Sequence, residues 1–415
     1  MTRVAVVPFA SPLRDGEVIR QRTAGYVAAL KEIGGFEFSP ALSASCDGGA
    51  SQADITLVLA LSGGIEAPVL EFLAKCDGPA LILAHPTDNA VAAALEIVAF
   101  CASSGRRGCI VQARPGWQDE LRERLRLFAT RARMQGARLG VIGTRDVEVL
   151  EPWRLTDQVK RAWGPSLVRV AMEELVEAIR GADQGEVRES AEEFLDSASQ
   201  VVEPDDGTIL GAARIYVGLR DLVRRYKLDA VTVKCFDLLP LLRNTGCYAL
   251  ARLNEEGVPA GCEADVLSTL GMLFVRELTG HPSFMANPSV VDTAASRIVL
   301  AHCTIARTMT AGYSVRSHFE SGIGVAIQGN VVPGPVTVTR LGGPGLRKTF
   351  AACGTVVGSG SREDMCRTQL TVEFGSLEPA ARIMSSPLGN HHLVVPGDWE
   401  KAVTEYTTMF IDSLG

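Results

Sequence analysis

The sequence has no excess of positive charge: 41 Lys and Arg stand against 48 Asp and Glu, a net of −7. An acidic chain lacks the long-range attraction for phosphate backbones or anionic lipid, so neither nucleic acid nor a membrane is an expected partner. Long apolar runs are missing too, well short of the roughly 18 residues a membrane-spanning helix needs. The 10 cysteines contain no CxxC pair and no regular spacing, which argues against a disulfide framework and for reduced thiols. The opening MTRVAVVPFASP lacks the apolar core and small-residue cleavage pattern of a signal peptide and reads as a first β-strand. The expectation is a soluble, cytoplasmic protein.

Nucleotide and hydrolase motifs are also absent. There is no GxSxG elbow and no HExxH. GIGVAIQG (322–329) has GxG spacing, but a strand pattern follows where a dinucleotide fingerprint needs a helix. In GGPGLRKT (342–349) the residue before Lys348 is Arg347 rather than the glycine of a phosphate loop.

What is present is an ordinary globular composition, 47% hydrophobic and 21% charged over 415 residues, enough for two to three domains. Short apolar runs alternate with amphipathic stretches at the start: 3–9, 54–61, 79–84, 107–113 and 138–144. Unbroken apolar strands alternating with helices imply a parallel sheet with crossover helices. Asp88 and Asn89 mark a helix start and Gly105 a stop. The middle third is helix-rich around a strand, LDAVTVKCF (228–236), and reads as a second α/β unit. Beyond about residue 295, strand-like runs separated by Gly, Pro and Ser indicate β-sheet or barrel. The expected architecture is two Rossmann-like α/β domains, 1–148 and 149–304, then a mainly β, barrel-like domain, 305–415, that ends in a helix.

Five of the six histidines lie from His281 onward. GCEADVLSTLGMLFVRELTGHP (261–282) reads as one helix stopped by Gly280 and Pro282. Glu263 lies at its start, where the macrodipole keeps a carboxylate ionised and suits it to ligate a metal or act as a base. Asp265, two positions on, would face about 200° away on a regular helix, so the two should not serve one site. In LGNHHLVVPGDW (388–399), adjacent side chains of a strand point to opposite faces, so only one of His391 and His392 can enter a pocket. Lys234 sits at the carboxyl end of a strand, where open α/β sheets place ligands.

Together with LSGGIE (61–66), AHPTDNA (84–90), VKCFDLL (233–239), PSFMANPSVVD (282–292), LAHCT (300–304) and HFESGIGVAIQG (318–329), these segments resemble the L-fucose isomerase and L-arabinose isomerase family. The likeness is strongest to its shorter, fucose-isomerase-like members. It implies a three-domain ketol isomerase that binds Mn²⁺ or another divalent cation and acts on a sugar or sugar derivative through an enediolate. By position, the resemblance makes Glu263 and His391 metal ligands, with Asn390 beside them against the substrate. His302, beside Cys303 in a strand, reads either as lining the substrate site or as a buried hydrogen-bonding residue. It also implies a homo-oligomer, trimeric or hexameric, in which Glu66 and Arg14, with Ser11 and His85, line a neighbouring subunit's site. Glu263, Asn287 and Lys234 are the candidate catalytic side chains. Where the family has a second metal-binding carboxylate, this sequence has Asn287, which can offer a carbonyl oxygen but neither charge nor a base. That predicts weaker cation binding, or a substrate that brings its own anion, with Asp292 as a substitute ligand if its loop folds back. The alternative is a non-isomerase on the same scaffold, either a sugar-binding or regulatory protein or an enolate-chemistry enzyme.

Overall fold

The computed structural model describes residues 1–40, 53–76, 78–143 and 152–412; the 148/149 domain boundary expected above lies outside them. The chain forms two compact units, Met1–Arg133 with Glu405–Gly415, and Met134–Thr404.

The first unit is an open parallel sheet in the order Phe36–Pro40, Thr2–Phe9, Ile55–Ala60, Ala80–Ala84, Gly108–Gln112. Strands such as Ala80–Ala84 are buried along their whole length, as expected for a sheet covered on both faces. The edge strand Phe36–Pro40 was not anticipated, because FEFSP is too short and polar to stand out from a turn. The helix after Ala84 begins at Ala90. Asp88 and Asn89 both adopt left-handed backbone (φ +59° and +57°). Asp88 does not cap that helix; its carboxylate instead takes the guanidinium groups of Arg14, at 3.0 Å, and Arg22.

The second unit holds a four-stranded parallel sheet in the order Ala260–Gly261, Ala230–Val233, Arg138–Ile142, Ser166–Val170. Arg138–Ile142, which reads from sequence as the last strand of the first series, therefore belongs to this second sheet. Sequence proximity does not determine strand partners when a long helix, Trp117–Gly136, intervenes. The unit also contains a closed six-stranded barrel: Phe284–Asp292, Arg297–His302, Thr368–Phe374, Lys348–Gly360, Gly334–Gly342 and His392–Pro396. Closure removes the free edges that antiparallel sheets must otherwise protect. A three-stranded sheet, Ala326–Val331, Thr310–Arg316 and Gln200–Val201, completes it. The expected class, parallel α/β sheets with a barrel-like C-terminal region, is the one observed.

Candidate metal centre

The segment after Gly261 decides the site. The helix begins at Val266, not at 261, and Asp265 is its N-cap with extended backbone (φ −75°, ψ 91°). Between strand and helix, Glu263 and Ala264 both take left-handed backbone (φ +60° and +52°). Such conformations in residues with a Cβ cost of order 1–2 kcal/mol each and concentrate at functional sites. The Ala264 N–H bonds the Val233 carbonyl at 3.0 Å, which ties this turn to the end of the neighbouring strand. The turn lets Glu263 and Asp265 serve one site from different sides, contrary to the expectation drawn from a regular helix.

Glu263, His302 and His391 converge, each offering a ligand atom within 4.8 Å of the others. Glu263 Oε1 is 3.8 Å from His302 Nε2 and 3.5 Å from His391 Nε2. The two rings stand edge to face with centroids 5.4 Å apart. His302 ends the barrel strand Arg297–His302, and His391 immediately precedes the strand His392–Pro396. Two imidazole nitrogens and a carboxylate oxygen bound at about 2.0–2.2 Å to one transition cation lie roughly 3.0–3.5 Å from each other. The spacing observed here fits such an ion after small adjustments. The His391 ring is wholly buried, and its Nε2 has no hydrogen-bond partner, which is costly unless another group is meant to occupy it. These three residues could hold a metal ion.

The far side of each ring is held. Thr304 Oγ1 lies 3.1 Å from His302 Nδ1, and Asp265 Oδ2 lies 2.9 Å from His391 Nδ1. Burial pushes the Glu263 carboxyl upward, but the two facing imidazoles outweigh it and keep the group well below the ordinary carboxylate range. Burial is likewise overcome at Asp265, by His391 and Arg340. At His391, burial favours the neutral ring, yet Asp265 and Glu263 together raise its pKa. His392 points the other way, edge-on to Phe350 at 5.7 Å and with Nδ1 on the Asn390 carbonyl. Burial presses its pKa down to about 4.

Asn287 lies opposite Ala301 in the barrel, and its Oδ1 accepts from Asn390 Nδ2 at 3.2 Å. Asp292 is not brought here. It sits at the opposite end of the same strand, opposite Arg297, and its Oδ1 caps the turn at Ala294 and Ala295. Five steps along the strand, about 17 Å, separate it from Asn287. Lys234 follows the strand whose last carbonyl anchors the Glu263 turn, and its Nζ is 3.6 Å from Asp237. Arg14 and Glu66 lie in the first unit, both following carboxyl ends of its parallel strands.

Sequence reasoning missed two buried residues behind the rings. Asp265 was discounted, although D-x-x-S (Asp265 to Ser268) is an N-cap pattern that places the helix start after it. Arg340 was not singled out, although a charge inside the strand PVTVTRL is anomalous; it is 3% exposed and lies 3.6 Å from Asp265.

No family model matches the chain. Among curated proteins, it is 30% identical over 164 residues to the sulfoquinovose isomerase of a Clostridium species, covering 35% of this chain and 36% of that protein. It is 22% identical over 235 residues to the sulfoquinovose isomerases of Priestia aryabhattai and Priestia megaterium, covering 54% of this chain and 51% of each. The chain thus spans between about a third and a half of the length of the curated relatives it matches. Among the described residues, no helix is long and apolar enough to cross a membrane.

Proposed function

We propose that this chain is an aldose–ketose isomerase of sulfo-sugars, dependent on a divalent cation held by Glu263, His302 and His391. The observation that carries this reading is the convergence of those three side chains, from positions up to 128 apart in sequence, around His391 Nε2, a buried atom with no hydrogen bond that faces Glu263 Oε1 at 3.5 Å. Similarity to proteins named sulfoquinovose isomerase supports both the reaction and the substrate class. Two imidazoles beside one carboxylate suit a first-row transition ion better than Mg²⁺ or Ca²⁺, which prefer all-oxygen sites; Mn²⁺ is the ion the family resemblance implies.

Aldose–ketose exchange moves a hydrogen between neighbouring carbons while a carbonyl and a hydroxyl trade places, so it needs a base, an acid and stabilisation of charge on two oxygens. When bound, the cation supplies Lewis acidity to those oxygens. Glu263 stays ionised beside the imidazoles; Oε1 faces them, leaving Oε2 to accept a proton from carbon. The Asn287–Asn390 amide pair offers hydrogen bonds to substrate hydroxyls, and Lys234 lies at the strand end to orient an oxygen. With a single carboxylate and two neutral rings, a divalent ion keeps one net positive charge, which complements a substrate bearing its own anion. In the same reading the protein is a homo-oligomer, and Arg14 and Glu66 reach a neighbouring subunit's site.

The test is conversion of sulfoquinovose and of unsulfonated aldoses by protein loaded with Mn²⁺, against EDTA-stripped protein and His391→Ala. Cation-dependent isomerisation of the sulfo-sugar, lost in the variant, is expected. A loaded protein that converts no aldose or ketose overturns the proposal.

A further inference from the structure

Resting on the cation site proposed above, we infer that Asp265 is its positioning residue. It orients the His391 ring so that Nδ1 carries the hydrogen and the Nε2 lone pair faces Glu263. The two oxygens of Asp265 do separate jobs. Oδ1 accepts the Ser268 N–H at 2.9 Å, which is the helix cap; Oδ2 accepts the Ser268 hydroxyl at 2.8 Å and lies 2.9 Å from His391 Nδ1. An ionised carboxylate only accepts hydrogen bonds, so Nδ1 must donate and a neutral ring is left with its lone pair on Nε2.

The carboxylate cannot drift. Arg340 Nη1 donates to Ser268 Oγ and lies 3.6 Å from Asp265 Oδ2. All four residues are buried: His391 at 0%, Asp265 and Ser268 at 1%, Arg340 at 3%. A helix cap needs none of this, because capping uses Oδ1 and the backbone N–H alone and is ordinarily exposed. A buried acid with its charge balanced by Arg340 and its second oxygen on an imidazole is costly to assemble, and it serves to hold that ring. Outer carboxylates that orient ligating histidines in this way are worth about 10–100-fold in metal affinity.

Asp265→Asn separates cap from orientation. The amide oxygen still accepts the Ser268 N–H, but the amide N–H₂ now meets Nδ1–H, donor against donor, and drives the ring to the tautomer with hydrogen on Nε2. We expect Asp265→Asn to remain folded by circular dichroism and to bind Mn²⁺ about 10–100-fold more weakly in calorimetric titration. Its Co²⁺-loaded visible spectrum should change as one imidazole leaves the ligand field. Asp265→Ser, which keeps a capping oxygen but does not reach His391, should show the same loss. Mn²⁺ affinity within twofold of the native protein in Asp265→Asn, while His391→Ala abolishes binding, overturns the positioning role and leaves the cation site standing. A native protein that takes up neither Mn²⁺ nor Co²⁺ overturns both.

Discussion

At the residue scale the site is short of negative charge. Asn287 already accepts from Asn390, the residue before His391, so a carboxylate placed there keeps that hydrogen bond and adds a charge next to the His391 segment. Asn287→Asp is expected to tighten Mn²⁺ binding at least about tenfold, roughly 1.4 kcal/mol, as read by calorimetric titration; unchanged affinity would show that this position does not face the cation. His392 carries the clearest pH signature. Its folded pKa of about 4 lies below the unfolded value near 6.5, so the unfolded chain binds more protons between those limits. Stability from this group is therefore complete above about pH 6.5 and is lost as pH falls toward about 4. The shift is equivalent to about 3 kcal/mol. His391 shifts in the opposite sense, so the two must be separated by difference. Relative to His392→Gln, the wild type should lose about 2–3 kcal/mol in urea unfolding between pH 7 and 4.5. Parallel pH profiles for the two proteins would contradict a buried neutral His392.

At the element scale, the strand Ala260–Gly261 and the helix Val266–Thr279 meet without room for a side chain. A Cβ on Gly261 would lie 2.0 Å from Thr269 Oγ1, which itself bonds the Asp265 carbonyl. Gly261→Ala is expected to cost about 1–3 kcal/mol. It should also weaken cation binding, because whichever element yields carries Glu263 or Asp265 with it; Thr269→Ala added to it should recover part of both. Far along the chain, Trp163 is fully buried, donates to the Leu346 carbonyl at 2.9 Å and packs on Phe274 at 5.1 Å. It joins the helical stretch 152–163 to the connection between the barrel strands Gly334–Gly342 and Lys348–Gly360. Trp163→Ala should cost about 3–5 kcal/mol, and Trp163→Phe about 1–2 kcal/mol for the orphaned carbonyl, both measured by denaturant unfolding.

At the scale of the whole molecule, all three candidate ligands lie in Met134–Thr404. A cation held there would stabilise that unit by linkage, about 2.7 kcal/mol at a hundredfold excess over Kd. Hydrogen exchange with Mn²⁺ added should gain protection in peptides spanning 260–266, 300–304 and 388–393, and none in 1–133. Protection appearing in the first unit instead would place the cation elsewhere.

The parallel α/β character and the barrel-like C-terminal region were legible in the sequence alone, and the sequence, through its family resemblance, singled out Glu263 and His391 as candidates. Buried strands must be apolar throughout, and a turn between them must carry Gly, Pro or Ser, so period and punctuation record the fold class locally. Only tertiary structure decided that Arg138–Ile142 joins the second sheet, that His302 completes the trio, and that Asp292 stays away. It likewise revealed Asp265 and Arg340 behind His391. Those outcomes depend on the left-handed turn at Glu263–Ala264 and on barrel closure. Together these bring residues far apart in the chain within hydrogen-bonding reach, a proximity that no local pattern encodes.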